Sequence, residues 1–173
     1  MPQPRSANPL AKPSNSPPEA VLIKWRHGDG LASAFAAIDA AFAGSPRPEK
    51  FTDHPYCEEC ADADEYFRRF TPVTIADVTD PPETLPISFL TDEAFSYLLP
   101  GILRWLPRGG SQYCVGDVLF HVETRVHNFN AEQRAALRDL LYIVYNRLKS
   151  EIESTPFDYP TIWRILNELD RSQ

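Results

Sequence analysis

Cysteine is scarce in this chain. Three occur in 173 residues, an odd number that leaves at least one thiol unpaired and excludes the disulfide framework of a small secreted domain. Long apolar runs are missing as well. No stretch approaches the roughly 18–20 uninterrupted apolar residues of a membrane span. The opening MPQPRSANPLAKPSNSPPEA contains no apolar segment of the secretory-signal kind. These absences imply a soluble, cytoplasmic protein in a reducing compartment, without a membrane partner. Positive charge is the minority sign, with 17 Lys and Arg against 24 Asp and Glu and a formal charge of −7. A nucleic-acid backbone demands a basic face, so nucleic acid is not the expected partner. Familiar catalytic signatures are absent too. There is no G-x-S-x-G turn, and His27 beside Gly28, Asp29 and Gly30 lacks the lysine and following Ser or Thr of a phosphate loop. Asp92 and Glu93 are adjacent, so they point to different sides of a helix and make a poor acid–base pair.

What the chain does contain is apolar substance, 43% hydrophobic and 12% aromatic, which is too much for a disordered polymer and enough for one core. Residues 1–18, rich in Pro, Ser, Asn and Gln, read as a disordered tail, and residues 19–173 as a single mainly α domain, a bundle of about five to six helices. Leu31, Phe35, Ile38 and Phe42 recur on one helical face that Gly44 and Pro46 close. The opposite, alanine-rich side of that segment permits close helix–helix approach. A second helix is expected from about Tyr56 to Phe70. The stretch 71–86, broken by prolines, reads as an irregular connection or short strand. Thr91 caps a helix whose apolar side carries Phe95, Leu98, Leu99, Ile102 and Leu106; Pro100 inside it predicts a kink or two short helices. PRGGSQYCVGD (107–117) reads as a loop, and residues 20–25 and 118–127 are open between helix and strand. Asn130 with Gln133 forms a capping-box-like start to a long helix with Leu137, Leu140, Leu141, Val144, Leu148 and Ile152 on its buried stripe. A last helix from near Pro160 buries Ile162, Ile165, Leu166 and Leu169. Trp25, Trp105 and Trp163 are expected as core or interface anchors.

Two features stand out. The first is DHPYCEEC, Asp53 to Cys60, which holds two of the three cysteines and a histidine. Cys57, Cys60, Asp64 and Phe67 recur at helical spacing, so the cysteines read as small apolar residues on the inner side of the helix, with no cofactor. The alternative is structural zinc on His54, Cys57 and Cys60, its fourth ligand coming from Cys114, His121 or His127. A redox pair fits the C-x-x-C position at a helix start, but acidic neighbours oppose thiolate formation. The deaminase signature is reversed in order, with His121-Val122-Glu123 after Pro55–Cys60.

The second feature is charge distribution. Glu49 to Leu99 carries 12 acidic residues against Lys50, Arg68 and Arg69. Acidic surfaces speed encounter with basic partners. The candidate partner-binding residues are Glu58, Glu59, Asp62 and Glu65 on the outer face of the helix, with Asp77, Asp80 and Glu83 on the following segment.

Three blocks, YCEECADADEYF, SFLTDEAFSYLLPGIL and FNAEQRAALRDLLYIVYNRL, together resemble a bacterial family of unknown function. That family pairs a C-x-x-C-type helix start with a T-x-E-A-F-x-Y-x-L-P helix and a late Q-R-x-A-L helix. The resemblance spans about residues 31–150, and Thr91 to Pro100 is its most specific part. It implies a small cytosolic helical domain of the kind found among toxin-neutralising and accessory bacterial proteins, and it brings no catalytic residue. The functional expectation is a non-enzymatic immunity or inhibitor protein whose acidic surface blocks a basic protein, such as a toxin or nuclease.

Overall fold

The computed structural model describes residues 30–53, 57–78, 86–108, 112–147 and 158–171. Seven α-helices are found among them: α1 (Gly30–Phe42), α2 (Glu58–Arg68), α3 (Pro72–Ala76), α4 (Asp92–Ile102), α5 (Gln112–Arg125), α6 (Ala131–Arg147) and α7 (Asp158–Arg171). Turns of 3₁₀ helix occupy Pro86–Phe89, Leu103–Arg108 and Val126–Asn128. No strand occurs among the described residues; the nearest thing is an isolated antiparallel bridge between Thr52 and Leu90. The mainly α bundle expected from the sequence is the fold observed. Among the described residues no helix is long and apolar enough to cross a membrane. The tail and residues 20–25, with Trp25, lie outside the described residues, as do Leu148 and Ile152.

The amphipathic helices form where periodicity places them. α1 buries Ala34, Ile38 and Phe42, four residues apart, with Leu31 and Phe35 packed at the margin. Its alanine side meets no other helix among the described residues: Ala32, Ala36, Ala37 and Ala40 are exposed. The large side chains make the contacts with α6 and α4 instead, because they remove more apolar surface from water than a row of methyl groups would. α6 starts as expected, with Gln133 N–H donating to Asn130 Oδ1 at 2.9 Å and Asn130 N–H to Gln133 Oε1 at 3.0 Å. Its Leu137, Leu140, Leu141 and Val144 are buried, and so are Ile162, Ile165, Leu166 and Leu169 of α7. α7 packs on both α5 and α6. Trp105 is buried, and Trp163 packs partly buried against the core.

Two expectations need correction. Residues 72–76 are a helix, not an irregular connection. Pro72 occupies the first turn, where its missing N–H costs nothing, and Thr71 and Thr74 cap reciprocally: Thr74 N–H donates to Thr71 Oγ1 at 3.2 Å and Thr71 N–H to Thr74 Oγ1 at 2.8 Å. The loop read at 107–117 ends early, since α5 begins at Gln112 and runs through 118–125, resolving that ambiguity as helix. Val115, Val118, Leu119 and Val122 give it a buried stripe, and that burial outweighs the roughly 1 kcal/mol penalty of Gly116 inside a helix.

α4 begins at Thr91, whose hydroxyl accepts from Ala94 N–H at 3.1 Å. It continues through Pro100 and Gly101 to Ile102, then tightens into the Leu103–Arg108 turn, so the break comes after the proline. Arg104 reaches back to the Pro100 carbonyl at 2.6 Å and grips Asp39 of α1 with two bonds of 3.0 and 2.7 Å. Against the other side of α4 lies α3, held also by Trp105 Nε1–H donating to the Ile75 carbonyl at 3.1 Å.

Candidate functional site

α2 presents both features picked out in the sequence, and its setting explains how. Buried Cys60, Ala63 and Phe67 fall on one side of the helix. With 100° per residue, Glu58, Asp62 and Glu65 form a stripe opposite them, with Glu59 alongside, and all four carboxylates are exposed. Glu65 is occupied by Arg69 at 2.6 Å, and Asp64 by Arg68 at 2.6 Å. Among the described residues Glu58, Glu59 and Asp62 have no ion-pair partner. Asp77 is exposed at the end of α3, while Asp80 and Glu83 lie outside the described residues.

The helix is clamped at both ends by residues distant in sequence. Asp64, half-buried, accepts from Phe51 N–H at 2.7 Å, from Thr52 N–H at 3.3 Å and from the Arg68 guanidinium. Thr52 in turn donates its hydroxyl to the Cys60 carbonyl at 3.0 Å, and Thr91 N–H donates to the Phe51 carbonyl at 2.9 Å, tying the strap to the start of α4. At the C-terminal end Arg47 donates to the free carbonyls of Arg68 and Phe70, and its guanidinium lies over the rings of Phe51 and Tyr97 at 5.6 and 5.9 Å. Neither Arg47 nor the acceptor role of Asp64 was read from the sequence. Their partners stand more than ten residues away, beyond any periodic signal.

Partial burial pushes the Asp64 carboxyl up, but the bonds from Arg68, Phe51 and Thr52 outweigh it and hold the pKa below the ordinary value of 3.8. A lowered folded-state pKa means stability that is present at neutral pH and lost as acid protonates the folded carboxylate. Asp64→Asn is therefore expected to lower stability by about 1–3 kcal/mol at pH 7. Its urea midpoint should then fall less than the wild type's between pH 5 and pH 2. Parallel acid limbs for the two proteins would show that Asp64 does not hold the strap.

Cys57 is the N-cap residue of α2, with extended backbone and half-buried, and Cys60 is buried. Burial first, then the Cys57 contact and the charges of Cys57, Asp53 and Glu59, push the Cys60 thiol up to about 11. His54, the third zinc ligand considered, lies outside the described residues, as does the side chain of Cys114. Among the described residues no group of three or more His, Cys, Asp or Glu side chains is placed to hold a metal ion. His121 and His127 sit on another part of the fold. His121 is buried, with Nδ1 2.9 Å from Arg125 Nη1 and Nε2 3.4 Å from Asp117. A guanidinium only donates, so Nδ1 accepts and the ring proton sits on Nε2, facing Asp117. The i, i+4, i+8 spacing of Asp117, His121 and Arg125 was the available sequence signal for this ladder.

Two open clefts lie elsewhere among the described residues. One, of about 410 Å³, lies between α5 and α7, where Glu123 is paired with Arg164 beside His127 and Arg171. The other, of about 480 Å³, lies where the end of α1 meets the starts of α4 and α6, beside Asp92, Glu93, Asn128 and Asn130. In the second, Asp92 is held by Arg125 at 2.9 Å and by Asn128 at 2.8 Å. No family model, curated protein or solved structure matches this chain. The resemblance of its three blocks therefore rests on those residues alone.

Proposed function

We propose that this chain is a non-enzymatic binding protein, most concretely a cytoplasmic immunity or inhibitor protein that neutralises a toxin or other enzyme with a basic cleft. The observation that carries the proposal is the outer face of α2: Glu58, Glu59 and Asp62 are exposed and without ion-pair partners among the described residues, on a helix clamped at each end. Carboxylates on a rigid support lose little freedom on binding, and they occupy positions that phosphates would take in a nuclease channel. Glu58 and Glu59 also stand in the first turn, at the positive end of the helix, which eases their mutual repulsion in the free protein. Glu65, paired with Arg69, and Asp77 are further exposed carboxylates in this part of the chain.

The test begins with capture of interacting proteins from the native cell and continues on the purified partner. Reversing Glu58, Glu59 and Asp62 to lysine is expected to slow association about tenfold or more and to flatten its salt dependence. Stability should fall by about 1 kcal/mol per site at Glu58 and Glu59, where lysine faces the positive helix end, and by about 0.5 kcal/mol or less at the solvated Asp62. A captured partner that associates equally fast with the reversed variant, at both low and high salt, would move the interface off α2.

A further inference from the structure

The Cys57 and Cys60 thiols are used neither by the acidic face nor by the clamp behind it. Cys57 stands half-buried at the N-cap of α2, and Cys60, three residues on, is buried on the core side. Ala61 N–H donates to the Cys57 carbonyl at 3.0 Å, so the first turn is already closed across the pair. In such a turn Cα atoms three residues apart are separated by about 5 Å. That falls inside the roughly 4.4–6.8 Å range of disulfides. The Thr52 hydroxyl donates to the Cys60 carbonyl at 3.0 Å and holds that part of the backbone in place.

We propose that Cys57 and Cys60 form a reversible intramolecular disulfide by exchange with small-molecule disulfides of the glutathione class. Cys57, the accessible member, attacks as thiolate on one sulfur of the small disulfide. The S–S bond of the reagent breaks, one small thiolate leaves, and a mixed disulfide joins Cys57 to the other half. The neighbouring Cys60 then gives up its proton and attacks Cys57 Sγ, expelling the second small thiolate. In the balance, two protein thiols are oxidised to one disulfide, and the reagent takes up both electrons and both protons as two thiols. The ring so formed encloses Glu58 and Glu59, within the first turn of the helix.

The experiment uses the full chain carrying Cys114→Ser, reduced anaerobically and equilibrated with glutathione and glutathione disulfide. The expected product is about 2 Da lighter, with Cys57 and Cys60 both resistant to alkylation, and its ratio to the dithiol follows the glutathione disulfide concentration over the square of that of glutathione. Adding Cys60→Ser should trap one glutathione on Cys57, whereas Cys57→Ser should be modified at Cys60 at least about tenfold more slowly. Thiols that stay reduced at every ratio, whether through burial or through a metal ion held between them, overturn the proposal. A stable glutathione adduct on the otherwise unsubstituted pair overturns it too, as do equal rates in the two single variants. Peptide mapping of the oxidised wild-type chain provides a check that needs no substitution: a Cys57–Cys60 link supports the assignment, and a link to Cys114 refutes it.

Discussion

Gly101→Ala is expected to destabilise the fold by about 3 kcal/mol, although alanine is the better helix former by roughly 1 kcal/mol. The reason is what stands beside α4. A Cβ at position 101 would lie 2.1 Å from the Pro72 carbonyl oxygen, 2.3 Å from Ile75 Cγ2 and 3.0 Å from the Pro72 carbonyl carbon. Two of these atoms are backbone and cannot rotate away. α3 would have to withdraw as a body, uncovering Ile75, which is 1% exposed, and stretching the Trp105 bond to the Ile75 carbonyl. For a chain of this size the loss corresponds to a drop in Tm of roughly 6–12 °C. Thermal and urea unfolding of the alanine variant, with Gly101→Val as a harsher substitution, measure it directly. A Tm equal to or above that of the wild type would mean that helix propensity decides and that α3 does not pack this closely.

The second large effect is expected at Arg125. Its guanidinium donates to Asp92 Oδ1 at 2.9 Å, to the Leu90 carbonyl at 3.0 Å and to His121 Nδ1, and it lies 4.9 Å over the Phe95 ring. The side chain is only 14% exposed, so these acceptors cannot simply turn to water. Arg125→Met keeps the stem and its packing but strands the Leu90 carbonyl and the His121 nitrogen, at a cost of about 3 kcal/mol. Arg125→Lys recovers less than half of this, because one ammonium on a flexible stem cannot replace a planar fork that serves three acceptors. Asp92→Asn acts as the control. That carboxylate is 60% exposed, and its loss is expected to cost about 1 kcal/mol or less. Urea midpoints of the three variants give the comparison. If Asp92→Asn matched Arg125→Met, the surface ion pair rather than the buried acceptors would be what the arginine supports.

These two positions mark where reading the chain stops. Gly101 looks in sequence like the partner of a helix-breaking proline, and nothing local says that its missing Cβ admits another backbone. Arg125 looks like a solvated cation at a helix end, and its acceptors at Leu90 and Asp92 lie more than thirty residues away. The same limit applies to the candidate site. The inward side of α2 was legible because Cys60 and Phe67 repeat at helical spacing, and the outward carboxylates followed from the same 100° step. The clamp that makes their positions rigid was not, since Asp64 meets the strap at Phe51 and Thr52, and Arg47 meets the far end of the helix.

Local physics acts within a turn or two of helix, and there the amino-acid order was sufficient. Apolar residues three and four apart determined α1, α6 and α7, and side chains that cap their own backbone determined the starts at Thr91 and Asn130. Proline carried two meanings that local order alone did not separate. Pro72 starts a helix because its absent N–H falls where none is needed, and Pro100 sits inside one that burial on every side keeps intact. Tertiary structure decided which close approach needs a glycine, which buried acceptors an arginine serves, and which distant residues hold the acidic helix at its ends. Each of those depends on atoms brought together across tens of residues by the burial of a common core, and such meetings leave no period in the sequence.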